Sequence, residues 1–89
     1  MPNDFEELIA WARDGPYRIA VLKKLSKKPE MPSILARTLK IHKSSMSRVL
    51  SGLRENDLIR EIPSGGRTKH YTLTPKGRDL LEEIESREY

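Results

Sequence analysis

The chain of 89 residues has no cysteine. Disulfides, thiol sensing and cysteine metal sites are therefore excluded. Its two histidines, His42 and His70, lack metal-ligand spacing, so neither a metal nor another cofactor is expected. Glutamine is missing and asparagine occurs twice, a depletion shared with heat-adapted proteins. No apolar run approaches the length of a membrane span, and no signal-peptide pattern opens the chain. These absences point to a soluble cytoplasmic protein without a membrane partner. Nor is there a nucleophile elbow or a paired-carboxylate constellation, and "SGGR" lacks the spacing and lysine of a phosphate loop. An enzyme is not expected. A chain of this length holds one small domain, with no separate effector domain beside it.

Charge is abundant and segregated. Residues 1–15 hold one basic and four acidic residues, and residues 79–89 again one basic against five acidic. Between them, residues 16–30 carry five basic and one acidic, and residues 31–78 ten basic and three acidic. No acid occurs from Met31 to Arg54, or from Ile62 to Arg78. A basic middle between acidic ends suits a polyanion-binding surface.

The hydrophobic periodicity predicts five helices and a hairpin. Residues 3–13 form an amphipathic helix capped by Asn3, with Phe5, Leu8, Ile9 and Ala12 on one stripe and Trp11 off it. Pro16 suits the first position of a second helix, 16–27, whose apolar residues run most of the way round and make it central. Residues 32–39 make a short third helix. Residues 43–56 make a fourth, with Met46, Val49, Leu50 and Leu53 as its stripe. Asn56 or Asp57 then has to take a left-handed turn. "LIREIP" and "RTKHYTLT" are short strand candidates around "SGG". A Thr cap and a Pro open the last helix, 75–88. The fold class is mainly α with a small β-hairpin, in the order α-α-α-α-β-β-α.

The fourth helix carries the functional signal. Opposite its apolar stripe lie Ser44, Arg48, Ser51 and Glu55, with Ser45 and Ser47 beside them. Small hydroxyls allow close approach to a surface and bond phosphates and base edges alike, and an arginine can bond a guanine with two hydrogen bonds. A helix N-terminus also offers N–H groups and positive dipole charge to phosphates. An ordinary solvated helix face would mix Glu and Lys, whereas this one holds no acid before Glu55.

"ILARTLKIHKSSMSRVLSGLRENDLI", followed by "SGGRTKHYTLTPKGRDLL", resembles the winged helix-turn-helix of MarR- and ArsR-type transcriptional regulators. The matching features are Leu35-Ala36, Leu39, Ile41, Ser44, the Ser47-Arg48 pair, Leu53, Leu58-Ile59 and "LTPKG". The resemblance implies that 32–39 is the supporting helix and 43–56 the recognition helix in the major groove. Hairpin 59–73 becomes the wing, with Arg67 near its tip at the minor groove and His70 on the wing strand. It also implies a homodimer paired through terminal helices 3–13 and 75–88, for which Phe5, Leu8, Trp11, Leu81 and Ile84 are the candidate residues. Two positions depart from the pattern: His42 replaces a usual helix cap, and Asp57 replaces a usual glycine.

Sorted by role, Ser44, Ser45, Ser47 and Arg48 are candidates for base readout. Arg37, Lys40, Lys43, Arg54 and Lys69, with Arg67 on the wing, are candidates for phosphate contact. Lys23, Lys24, Lys27 and Lys28 either reach flanking backbone or keep the surface soluble. The expected function is that of a sequence-specific double-stranded DNA-binding regulator, most simply a repressor. The rival is a winged helix used as a protein-interaction module, which would need neither an acid-free helix face nor a basic wing. Binding of left-handed DNA would call for a tyrosine on the recognition helix and a tryptophan on the wing, which this chain lacks.

Overall fold

The computed structural model describes residues 5–63 and 69–88. Five helices and one hairpin follow in the predicted order: α1 (Phe5–Asp14), α2 (Arg18–Lys27), α3 (Pro32–Leu39), α4 (Lys43–Glu55), β1 (Ile59–Pro63), β2 (Lys69–Leu73) and α5 (Pro75–Ser86). The strands pair antiparallel, Ile59 opposite Leu73 and Glu61 opposite Tyr71. Glu30, between α2 and α3, bonds Tyr71 through both backbone groups (3.1 and 2.9 Å) and so adds one bridge on the other side of β2. Asn3, the expected cap of the first helix, lies outside the described residues. Among the described residues no helix is long and apolar enough to cross a membrane.

The core forms where the apolar stripes meet. Val21, Leu22 and Leu25 of α2 are buried in one cluster with Leu8, Ile9 and Ala12 of α1, Leu35 of α3, Leu53 of α4, Leu73 of β2 and Leu80, Leu81 and Ile84 of α5. The central place expected for α2 follows from its packing on α1, α3, β2 and α5. Each fully buried leucine contributes about 1.5–3 kcal/mol through removal of apolar surface from water.

Helix α2 begins two residues later than expected. Pro16 stands outside it, and Tyr17 sits at φ 77° as its N-cap. The chain reverses tightly here, because Arg18 folds back to donate to the Trp11 carbonyl and cover its ring. A left-handed residue makes that reversal, so Pro16 cannot open the helix.

Two left-handed residues shape the helix-turn-helix. Helix α3 closes with Ile41 N–H donating to the Ala36 carbonyl (3.0 Å) and Lys40 N–H to Arg37 (3.3 Å), with Lys40 at φ 59°. Helix α4 closes in the same way: Leu58 N–H donates to Leu53 and Asp57 N–H to Arg54, both at 2.9 Å, with Asp57 at φ 62°. Both are paired closures that satisfy the last carbonyls of a helix, normally around a glycine. Of the alternatives at the end of α4, Asp57 takes the turn while Asn56 stays right-handed at φ −93°. The entry to α5 locks onto that turn. The buried Thr74 hydroxyl donates to the Asp57 carbonyl (2.6 Å) and accepts from Gly77 N–H (3.0 Å).

Candidate nucleic-acid interface

Burial on α4 follows the predicted stripe. Met46, Leu50 and Leu53 are buried and Val49 is half-buried, while Ser44, Ser45, Ser47, Arg48 and Ser51 are exposed. His42 precedes the helix in extended backbone and makes no side-chain cap. No acid occurs in the first turn, so the positive end of the helix dipole is offset neither by a cap nor by a carboxylate. Lys43 and Ser47 line a cleft of about 290 Å³ with Pro32, Ser33, Ala36 and Met46, where α3 crosses the start of α4.

The cations fall into two sets. Arg37, Lys40, Lys43 and Arg48 are exposed, and the ion pairs among the described residues involve none of them. Arg54 and Lys69 converge instead on one carboxylate. Oε2 of Glu61 lies 3.6 Å from Arg54 and 3.8 Å from Lys69. The same oxygen accepts a hydrogen bond from the Tyr71 hydroxyl at 3.1 Å. Burial, reinforced by that bond, pushes the Tyr71 hydroxyl above the ordinary tyrosine range and keeps it a donor. Glu61 is not among the candidate residues that the spacing of motifs marks. The signal was present, since Glu61 is the lone acid between Asp57 and Asp79. Arg67, expected at the wing tip, lies outside the described residues.

The residues expected at a dimer interface are placed differently from the expectation. Leu8, Leu81 and Ile84 are buried within the single chain, Ile84 completely. They hold α1 to α5 and offer no outward stripe. Phe5 and Trp11 are half-buried and pack on the same core. Trp11 is not left over on another face: its ring lies under the Arg18 guanidinium, 4.0 Å from the centroid, and its edge faces Gly52 of α4. Arg87 closes the outer end of that helix pair, donating to both oxygens of Glu6 (3.1 and 2.7 Å) and to Glu83. Of the doubtful lysines, Lys23 pairs with Glu88 at 3.9 Å and Lys28 with Glu30 at 3.8 Å.

Residues 6–88 match the family described as "HVO_A0261 N-terminal domain". Among solved structures, the chain is similar to the transcriptional regulator Tm0710 from Thermotoga maritima: TM-score 0.80, 19% identity, 93% of this chain and 61% of that one. It is similar to the transcriptional regulator BldR from Sulfolobus solfataricus, with TM-score 0.77 at 25% identity over 92% of this chain and 61% of that one. ZitR from Lactococcus lactis, solved in complex with DNA, superposes with TM-score 0.69 at 22% identity over 78% of this chain and 49% of that one. The chain therefore spans about half to three-fifths of the length of these structures. No curated protein matches the sequence. The neighbours are winged helix-turn-helix regulators of the MarR type, and the fold is theirs.

Proposed function

The chain belongs to the HVO_A0261 N-terminal domain family, and from that membership and the exposed face of α4 we propose that it is a transcriptional regulator that binds double-stranded DNA. Helix α4 enters the major groove. Ser44, Ser45, Ser47 and Arg48 read base edges, and Arg37, Lys40, Lys43, Arg54 and Lys69 meet phosphates. The hairpin 59–73 lies on the adjacent backbone, with Arg67 at the minor groove. Covering a promoter is the simplest way for such a domain to act, so we read it as a repressor.

The observation that supports this most is the start of α4. Five small or cationic residues, Lys43, Ser44, Ser45, Ser47 and Arg48, are exposed there, with no acid in the first turn and no side-chain cap. A face of that kind has little reason to exist on a merely solvated helix and suits a phosphate-lined groove. One structural neighbour, ZitR, was solved with DNA. Residues 1–89 act as one winged-helix domain in this reading. Two copies would present their recognition helices about one helical turn apart. A dimer would form at the α1/α5 end around Phe5 and Trp11, because Leu8, Leu81 and Ile84 are already covered.

The test is selection of the purified protein against a random duplex library at near-physiological salt, followed by sequencing. An enriched two-fold-symmetric motif is the expected result. Binding without enrichment that vanishes as salt rises would leave only non-specific charge attraction and overturn the reading.

A further inference from the structure

We propose that Glu61 is a built-in counter-ion that competes with DNA phosphate for Arg54 and Lys69 and thereby sets the affinity and salt sensitivity of the interface. The inference rests on the DNA-binding reading of α4 and the hairpin.

The hairpin register makes the cluster. Glu61 stands directly opposite Tyr71, and directly opposed residues of an antiparallel pair share a face. Lys69 lies two residues before Tyr71 on β2, and side chains two apart along a strand also share a face. Glu61, Lys69 and Tyr71 therefore project from one side of the wing, where the last turn of α4 brings Arg54. The Arg54 guanidinium lies 6.0 Å above the Tyr71 ring. The Glu61 side chain keeps 32% of its exposure, against 52% for Arg54 and 65% for Lys69. The acid is thus the inner member of the cluster and the two cations the outer ones.

The distances fit exchange. At 3.6 and 3.8 Å the cations are held by charge rather than by short hydrogen bonds, and exposed pairs of this kind are weak. A phosphate arriving between the end of α4 and the wing displaces little. It does meet a cluster of net charge +1 instead of +2, with a carboxylate at its centre. The hollow lined by Ser51, Arg54 and Glu55 opens at the same arginine. The cations at the other end, Lys43 and Arg48, have no such counter-ion among the described residues. The start of α4 thus binds at full charge, and the wing end is attenuated.

The experiment is a salt titration of wild type, Glu61→Gln and Glu82→Gln, each binding a fluorescent random-sequence duplex followed by anisotropy. Glu82 is exposed on α5 and gives the same change in net charge outside the cluster. Glu61→Gln is expected to bind about three- to tenfold tighter at moderate salt and to steepen the plot of log affinity against log salt by about one. Glu82→Gln is expected to follow wild type. Glu61→Thr, which suits a strand, repeats the charge change should Gln disturb the hairpin. Wild-type binding with both glutamine variants superposed on each other, or a loss of affinity in folded Glu61→Gln, would overturn the counter-ion role alone. Absence of wild-type binding at any salt would instead retire the DNA-binding reading, and this inference with it.

Discussion

The edge of the Trp11 indole lies against Gly52, so that a Cβ at that glycine would sit 3.1 Å from Trp11 Cζ2. The contact joins α1 to α4. Alanine in a helix interior is worth about 1 kcal/mol over glycine, but here its methyl group would have to move the ring. The ring cannot slide freely, because the Arg18 guanidinium covers its face at 4.0 Å. Overpacking of this kind costs about 1–3 kcal/mol. Gly52→Ala is therefore expected to lower the thermal midpoint and shift the emission of the single tryptophan. Trp11→Phe in the Gly52→Ala background is expected to recover stability. A Gly52→Ala protein with raised stability and unchanged emission would show that the contact does not constrain α4.

Gly77 and Asp57 give opposite expectations on the two sides of one junction. A Cβ on Gly77 would collide with the Leu58 carbonyl, a backbone atom held in place by its bond from Thr74 N–H at 3.0 Å. Gly77→Ala is expected to destabilise by about 1–3 kcal/mol. Asp57 occupies φ 62°, where glycine pays no steric cost, so Asp57→Gly is expected to raise stability, by up to about 1 kcal/mol. Urea melts of the two variants check both signs.

The order of elements was legible because period and punctuation agreed. The stripes of α3 and α4 and the Thr74-Pro75 entry to α5 each point to one structure. The features that were not legible come from contacts between distant residues. Pro16 reads locally as a helix start, but the fold-back of Arg18 onto Trp11 overrides it. Leu81 and Ile84 read as a dimer stripe but are buried in the single chain, because periodicity marks a face without naming what covers it. At the candidate interface, the exposure of the serines and Arg48 on α4 was legible from spacing alone. The Glu61 cluster was not, since it depends on hairpin register and on where α4 ends.

In the proposed interface Arg48 would read sequence and Arg67, on the expected wing tip, would supply affinity. Arg48 is exposed on the acid-free face of α4. Arg48→Ala is expected to relax discrimination at one base position by about 1–3 kcal/mol. Arg67→Ala on the wing is expected to weaken all duplexes evenly and to reduce the salt slope by about 1. With about six phosphate contacts, wild-type affinity itself should fall about a thousandfold from low to moderate salt. Competition binding with matched and mismatched duplexes checks the pattern. Unchanged affinity in both variants would place the interface elsewhere.

Arg87 and Glu6 make the tie between α1 and α5 depend on pH. The hydrogen bonds from Arg87, with its charge, hold the Glu6 carboxyl below the ordinary glutamate range. The same contacts with Glu6 and Glu83 push the arginine up, so it stays charged. A carboxyl whose folded-state pKa is lowered binds fewer protons folded than unfolded, so its stabilisation is present above the ordinary glutamate value. It is lost as pH falls through the folded-state value. Glu6→Gln is therefore expected to be less stable than wild type at neutral pH, and the difference should close in acid below the glutamate range. Both side chains are at the surface, so solvent screening keeps the difference small and added salt should shrink it further. Thermal melts of wild type and Glu6→Gln at neutral and acid pH check the sign. A difference that stays constant across that range would mean that Glu6 acts through packing rather than through its charge.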